Sequence, residues 1–326
     1  MILPEKILIV RLGAIGDVTN ALVVAKAIEE KAPGSQVGWA VHDLARPLVD
    51  GHPSVDRVHL WRKGNGVAGF RAVVKEIREV GYDLAIDLQR IQKSAALARL
   101  SGAERVLGYD RGRTKEASWL WTREKIPTGD PGAHMVEQYL DVVRALGLGS
   151  VEPRRVLPED PQAEAWADSL IEELGAPPLV LCLGASKHPN RWIPGSFSSL
   201  ATSILSETAC PICLVGGPQD RELFGETIAA LQAVRGITDL VGRTELPQLI
   251  SLFRRSRLFV GCDTGPMHLA AAVELPVVAL FGPADPRRTG PYGEGHRVVR
   301  SRTGAMEDLT VPEVLDPIRA ALAAHV

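Results

Sequence analysis

The chain has 326 residues, 45% of them hydrophobic and 23% charged, a composition typical of a globular protein long enough for two domains. Its formal net charge of −2 argues against nucleic-acid binding, so an anionic ligand would need a local basic cluster. No apolar run approaches the roughly 18 residues of a membrane span, and the start shows no signal-peptide pattern. Four cysteines are too few for a disulfide framework, and we therefore expect a cytoplasmic protein.

The first half of the chain alternates strand and helix patterns. Lys6–Leu12 is a nearly continuous apolar run, as expected for a parallel strand covered on both faces, and Val18–Lys31 has helical spacing. The same alternation continues with strands at 37–41, 55–60 and 83–88 and helices at 70–80, 94–100 and 133–146. The segment Val106–Lys125 lacks a clear period and carries several basic residues around two tryptophans. This order predicts a wound α/β sheet.

The second half repeats the pattern after a segment with three prolines, Val151–Pro161, which we interpret as an interdomain linker. Strands are predicted at 179–183, 212–215, 237–241, 258–260 and 276–281, with helices beginning near residues 194, 221, 246, 266 and 310. The fold class is therefore α/β, with two Rossmann-like domains at 1–155 and 156–326 that face each other across a cleft. Ligands of such domains bind at the carboxyl ends of the strands.

The loop after the first strand, Arg11–Asp17, carries the first candidate for chemistry. Its spacing Gly13-x-x-Gly16 is not the full dinucleotide fingerprint, and no acidic residue ends the second strand, so hydride transfer with NAD is disfavoured. Asp17 stands at a helix start, where it is either a helix cap or a general base at the edge of the cleft.

Two loops of the second half carry polar groups suited to a nucleotide. Gly184–Trp192 contains Ser186, Lys187 and Arg191, which are suitable donors to a diphosphate, although a solvated charged loop explains them as well. Gly216–Glu222 begins with two glycines that permit close contact, and its carboxylates could accept from ribose hydroxyls. Helix capping by Asp220 is an equally good explanation of that loop.

The stretch Leu258–Val273 reads as a buried strand, a tight loop and a helix that starts near Pro266. Its loop amides and the positive helix end form an anion site that a diphosphate would fill. The residues assigned to it are Asp263, Thr264, Gly265 and His268. The alternatives are an ordinary strand–helix joint and a histidine with a structural role.

Together these loops resemble glycosyltransferase family 9, the ADP-heptose lipopolysaccharide heptosyltransferases. The resemblance covers essentially the whole chain and is more like the first, inner-core heptosyltransferase than the second. It is carried by four segments: 11–18 (RLGAIGDV), 83–96 with its DLAIDLQ and KSAA motifs, 263–271 (DTGPMHLAA), and 281–293 with FGPADP and TGPYG.

The resemblance implies a GT-B fold in which the N-terminal domain binds the acceptor and the C-terminal domain binds the nucleotide sugar. It implies an inverting enzyme without cofactor or bound metal, with Asp17 as the base that takes the acceptor proton. Ser186, Lys187, Arg191, Asp263, Thr264, Gly265 and His268 would hold the donor diphosphate, and Glu222 and Thr244 the ribose and adenine. The chain departs from the family at Asn190, where a phosphate-binding lysine is usual, so Arg191 or Lys187 would replace that lysine.

For the acceptor, the resemblance implies a lipid A precursor whose Kdo sugars and phosphates are acidic. We assign Gly16, Arg111, Arg113 and Lys115 to acceptor binding, with a solvated surface segment as the alternative for the three basic residues. The predicted protein is a cytoplasmic monomer at the periphery of the inner membrane that binds no nucleic acid. Competing hypotheses are another nucleotide sugar or a later core acceptor, an NAD-dependent oxidoreductase, and a non-catalytic nucleotide-sugar sensor.

Overall fold

The structure, a computed structural model, describes residues 3–127, 129–185 and 188–323. It divides into two compact units, Met1–Pro158 and Glu159–Val326, hereafter unit 1 and unit 2. The division falls inside the proline-containing segment that the sequence assigns to a linker. Two of the predicted diphosphate ligands, Ser186 and Lys187, lie outside the described residues.

Unit 1 is built on a parallel sheet of six strands in the order β3-β2-β1-β4-β5-β6. The strands are β1 (Lys6–Val10), β2 (Gln36–Val41), β3 (Arg57–Leu60), β4 (Leu84–Asp87), β5 (Arg105–Gly108) and β6 (Glu124–Lys125). The last four residues of β1 are fully buried, as a central strand covered on both faces requires. The strand order reverses between β1 and β4, so the carboxyl ends of these strands form a topological switch point, where this class of sheet binds ligands.

Four α-helices cover the sheet of unit 1. They are α1 (Ile15–Lys31), α2 (Gly66–Val80), α3 (Gln92–Leu100) and α4 (Met135–Ala145), with short 3-10 helices at Asp43–Leu48, Arg111–Arg113 and Ser118–Leu120. The first helix packs along α4 and is buried over much of its length. It begins earlier than the periodicity indicated, which places Asp17 inside the first helical turn.

Unit 2 repeats the architecture with the order β12-β11-β10-β7-β8-β9, again parallel throughout. Its strands are β7 (Leu179–Cys182), β8 (Ile212–Val215), β9 (Ile237–Asp239), β10 (Leu258–Cys262), β11 (Val277–Phe281) and β12 (Arg297–Arg300). Its helices are α5 (Pro161–Leu174), α6 (Pro194–Glu207), α7 (Pro218–Leu223), α8 (Gly225–Gln232), α9 (Leu246–Arg254), α10 (Gly265–Ala272), α11 (Pro286–Thr289) and α12 (Val311–Ala323), with 3-10 helices at His188–Asn190 and Met306–Asp308. Here the switch point lies between β7 and β10.

The predicted α/β fold class is confirmed, but strands β5, β6 and β12 and helices α5 and α11 were missed, as were the 3-10 helices. Strands β5 and β6 lie in the segment without clear periodicity, and β12 is an edge strand whose charged ends leave no continuous apolar run. Helix α5 starts where the linker was expected to end, and the Asp160 carboxylate caps it by accepting from the amides of Gln162 and Ala163. Over the ranges that the structure describes, no helix has the length and hydropathy needed to cross a membrane.

Candidate functional site

The switch point of unit 1 pairs a buried arginine with a half-exposed carboxylate. Arg11 follows β1 directly, and its guanidinium forms an ion pair with the Asp17 carboxylate in the first turn of α1. The Arg11 side chain is only 6% exposed, whereas that of Asp17 is 42% exposed. Arg11 Nη1 also donates to the Leu88 carbonyl oxygen at 3.2 Å, which ties the pair to the end of β4. A carboxylate held from behind and open to solvent in front can receive a proton from a bound molecule.

The loop after β4 fixes the loop that leads from β1 into α1 and so to Asp17. Gln89 Oε1 accepts hydrogen bonds from the backbone amides of Leu12 at 2.9 Å and Gly13 at 3.4 Å. The turn itself is held by Asp87 Oδ1, which accepts from the amides of Gln89 at 3.1 Å and Arg90 at 3.4 Å. The side-chain amide of Gln89 therefore links the segments that follow β1 and β4, and this link helps to fix the position of the Asp17 carboxylate.

Behind this turn lies a buried set of cationic and phenolic groups. Arg90 has a left-handed backbone conformation (φ 67°), donates through Nη1 to Gln138 Oε1 at 2.6 Å and stacks 3.7 Å above the Tyr109 ring. Its Nε and Nη2 atoms, the Nε of Arg11 and the Tyr139 hydroxyl are buried and have no hydrogen-bond partner among the described residues. A residue held in a strained backbone conformation beside buried charged groups is typical of a functional site.

Burial raises the pKa of Asp87 from its usual 3.8 to about 6, against hydrogen bonds from Ser94, Gln89 and Arg90 and the charge of Arg11. Because the folded protein favours the neutral Asp87 carboxyl, this group contributes fully to the free energy of unfolding below about pH 4, its pKa in the unfolded chain. The contribution is lost as the pH rises through the folded-state pKa of about 6.

We expect Asp87→Asn to remove this pH dependence. Because the asparagine stays neutral, the wild type should lose on the order of 2–3 kcal/mol relative to the variant between pH 4 and pH 7. Urea unfolding of both proteins across this range measures the difference. The exposed carboxylate of Asp50 supplies a matched control, Asp50→Asn. Parallel stability curves for wild type and Asp87→Asn would contradict the prediction.

The predicted acceptor residues occupy different environments in unit 1. Gly16 is buried in the first turn of α1, and Arg111 is exposed with its guanidinium 5.9 Å from the Trp119 ring centre. Lys115 is also exposed. The Arg113 side chain is 2% exposed and is bound to Asp141 at 2.8 Å and to backbone carbonyls that follow β6. Arg113 is thus held within the unit, while Arg111 and Lys115 reach solvent.

The switch point of unit 2 contains the predicted anion site. Asp263 follows β10, and its Oδ2 accepts from the Thr289 hydroxyl at 3.2 Å. His268 is 8% exposed, and its Nε2 lies 3.9 Å from Asp263 Oδ1. Thr264 occupies the N-cap position of α10 but makes no side-chain capping bond, and Gly265 is the first residue of the helix. The start of α10 therefore presents backbone amides to an anion.

Neighbouring strand ends complete the edge of the unit 2 sheet. The Asp220 carboxylate accepts from the Gly217 amide at 2.7 Å, which is the capping role considered for it, and it packs so closely that a Cβ on Gly184 would lie 2.1 Å from Oδ2. Glu222 is exposed on α7, and Thr244 is half-buried after β9. Arg191 Nε donates to the Ala185 carbonyl oxygen at 2.9 Å. These described residues all follow adjacent parallel strands, and Glu222 retains a carboxylate open to solvent.

Comparison with known proteins decides the family. The model of glycosyltransferase family 9 (heptosyltransferase) matches residues 70–319. The chain belongs to glycosyltransferase family 9. Lipopolysaccharide heptosyltransferase 1 of Pseudomonas aeruginosa is 31% identical to it over 301 residues, which cover 88% of this chain and 81% of that protein. The resemblance noted in the sequence is confirmed, and the protein is a glycosyltransferase of the lipopolysaccharide heptosyltransferase family.

Solved structures confirm the GT-B fold of this family 9 member. E. coli ADP-heptose lps heptosyltransferase II aligns with a TM-score of 0.81 at 24% identity, covering 98% of this chain and 99% of that one. E. coli heptosyltransferase WaaC with ADP aligns with a TM-score of 0.78 at 22% identity, covering 97% and 99%. Both heptosyltransferase 1 and heptosyltransferase II are thus similar to this chain, so the comparisons leave the step of core assembly open.

The candidate site includes three residues that the sequence prediction left out. Arg11 pairs with Asp17, Gln89 positions the Asp17 loop, and Thr289 donates to Asp263. Arg11 directly follows β1, and Gln89 is the second residue after β4; these two strands flank the switch point. Their positions at strand ends could have been recognised from the sequence. Thr289 ends the short helix α11 that follows β11, and only the strand order brings it beside Asp263. In the ranges 3–127, 129–185 and 188–323, no three histidine, cysteine or acidic side chains group as metal ligands would.

Proposed function

We propose that this protein transfers heptose from ADP-heptose to a Kdo residue in the inner-core region of a lipid A precursor, with inversion at the anomeric carbon. The observation that carries the proposal is the Arg11–Asp17 pair at the switch point of unit 1. It supplies a carboxylate that is fixed by a buried cation and is open on its other side.

In the proposed reaction the acceptor hydroxyl oxygen attacks C1 of the heptose while the bond from C1 to the diphosphate oxygen breaks. ADP departs with the bonding electron pair, and the hydroxyl proton passes to Asp17. A single displacement inverts the configuration at C1. The charge that develops on the departing diphosphate needs fixed donors, because donors that are already oriented cost no reorganisation during the reaction.

We assign donor binding to unit 2. The amides at the start of α10, with Thr264, His268 and Arg191, suit the diphosphate, and Asp263 orients His268. Ser186 and Lys187 remain predicted diphosphate ligands. Glu222 and Thr244 remain the predicted contacts to ribose and adenine.

We assign acceptor binding to unit 1. Kdo carries a carboxylate, and the positive charges of Arg11 and Arg90, which come after β1 and β4, suit such an anion. The exposed Arg111 and Lys115 suit the acidic groups of the acceptor further out. In this proposal Arg113 and Gly16 act through position, since Arg113 is held in ion pairs and Gly16 is buried in the first turn of α1 next to Asp17. The acceptor is anchored in lipid, so we place the protein at the cytoplasmic face of the inner membrane.

Incubation of the purified protein with ADP-heptose and a Kdo–lipid A acceptor tests the proposal, with the product read by mass spectrometry. We expect one heptose to be added and ADP to be released. Thermal melting with ADP, UDP and NAD separates the donor classes, since ADP should stabilise the protein far more than UDP or NAD. Preferential stabilisation by NAD, or transfer only from another nucleotide sugar, would overturn the donor assignment.

The step of core assembly is tested in the same assay with an acceptor that already carries one heptose. The proposal requires the heptose-free acceptor to react faster. A preference for the heptosylated acceptor would move the enzyme to the later step while leaving the donor assignment intact.

A further inference from the structure

One face of unit 1 combines exposed apolar side chains with many basic ones. Three pockets lie on it between α2, α3 and the segment that follows the 3-10 helix Ser118–Leu120. The pockets share walls, because Val67 borders the first and second, Leu100 the second and third, and Trp121 the first and third. We name this continuous surface the α2–α3 face.

The apolar part of the α2–α3 face is unusually exposed. Val67 and Leu120 are 67% and 66% exposed, and Leu100 and Trp121 are 40% and 39% exposed. Only eight large hydrophobic side chains are exposed among the described residues, and four of them lie here. Single exposed apolar side chains need no explanation, whereas a contiguous group marks an interaction surface.

The charge of the α2–α3 face differs sharply from that of the chain. Eight basic side chains line its three pockets against two acidic ones, although the whole chain has a net charge of −2. Six of the basic residues have no carboxylate within 4 Å in the part of the chain that the structure describes. They are Lys63, Arg71, Arg78, Lys93, Arg99 and Arg123. Unpaired cations at this density imply an anionic partner.

Helix α2 shows how the two parts of the face are arranged. Arg71, Lys75 and Arg78 recur at helical spacing and form one exposed stripe, beside an apolar row that includes Val67 and Phe70. Only two of the fifteen residues of this helix are fully buried, so most of the helix surface is available. A basic stripe next to an apolar row is the pattern of helices that lie at a membrane surface.

We propose that the α2–α3 face docks unit 1 onto an anionic phospholipid bilayer. Leu120 and Trp121 enter the headgroup region, and the basic side chains contact lipid phosphates. The inference extends the proposed function, because an enzyme with a lipid-linked acceptor must work at such a surface. A nucleic acid would use the cations but would leave the exposed leucines without a role. A second copy of the chain would bring unpaired cations against each other.

Co-sedimentation with vesicles tests the docking surface without any lipopolysaccharide. The wild type should bind vesicles that contain both phosphatidylglycerol and phosphatidylcholine, and this binding should weaken as the salt concentration rises. It should not bind vesicles of pure phosphatidylcholine. The charge variant Arg71→Glu/Lys75→Glu/Arg78→Glu and the apolar variant Leu120→Ser/Trp121→Ser should each bind at least about ten-fold more weakly.

The matched control is Leu223→Ser. Leu223 is 50% exposed in unit 2, where its neighbours in the sequence include the acidic Asp220 and Glu222, and its replacement should leave vesicle binding unchanged. Thermal melting verifies that every variant is folded. Equal binding of wild type and both face variants, equal binding to neutral vesicles, or a preference for duplex DNA over anionic vesicles would overturn the inference.

Transfer to a water-soluble Kdo acceptor without acyl chains separates this inference from the proposed function. The face variants should act on that acceptor at the wild-type rate and lose rate on an acceptor embedded in vesicles. If the wild type binds vesicles but transfers no heptose, only the proposed function is contradicted. If it transfers heptose but does not bind vesicles, only the docking surface is contradicted.

Discussion

Replacement of Asp17 by alanine should lower kcat for heptose transfer by about 10³-fold while leaving donor binding unchanged. Asp17 is the only acidic residue in the segment Arg11–Asp17. Its carboxylate forms an ion pair with Arg11 and is also partly exposed to solvent. A general base acts only as the hydroxyl proton moves, so its loss affects the transition state and not the ground state. Initial-rate kinetics give kcat and KM, and calorimetric titration with ADP gives the dissociation constant.

Asp17→Asn sharpens this test because it preserves shape and removes the proton acceptor. Its loss of kcat should match that of the alanine variant. Asp50→Ala is the matched control, since Asp50 is a half-exposed carboxylate of the same unit that pairs with Arg46 at 2.9 Å. Turnover by Asp17→Asn at more than a tenth of the wild-type rate would remove Asp17 from the base role. A matching loss of ADP affinity would instead assign the defect to folding or donor binding.

Part of this candidate site was predictable from the sequence, and the predicted residues differ in a physical way from those that were left out. Asp17, Asp263 and His268 stand in short motifs directly after apolar strands, so local pattern identifies them. Gln89 acts on the Leu12 and Gly13 amides across two strands, and that contact depends on β1 and β4 being neighbours. Strand order arises from packing of the whole unit, and a single sequence contains no direct signal for it.

The missed secondary structure has a similar cause. The strand β12 carries arginine at both ends and lies at the edge of its sheet, where one side chain row faces solvent. Its two valines favour a strand, but four residues with charged ends are too short a signal, and pairing with β11 completes it. Helix α5 had readable signals in Asp160 and Pro161, but the prolines around them favoured a linker. Buried central strands were predictable because their apolar runs reflect burial on both faces.

His268→Ala should lower kcat/KM for ADP-heptose by about 10²-fold through both kcat and KM. His268 lies in the first turn of α10, nearly buried, with Nε2 3.9 Å from Asp263 Oδ1. In the proposed role it donates to the diphosphate, which is bound in the ground state and gains charge in the transition state. Product inhibition should respond as well, so the inhibition constant of ADP should rise by about ten-fold.

This pattern distinguishes His268 from Asp17, since loss of a base leaves ADP inhibition unchanged and loss of a diphosphate donor weakens it. His268→Gln, which keeps a side-chain N–H, should recover part of kcat/KM, whereas a purely structural histidine would show no such rescue. His134→Asn is the control, because His134 Nδ1 accepts from the Val136 amide at 3.1 Å as an N-cap of unit 1, a role that asparagine also fills. If His268→Ala binds ADP as tightly as the wild type and loses only thermal stability, the anion site at α10 rests on backbone amides alone.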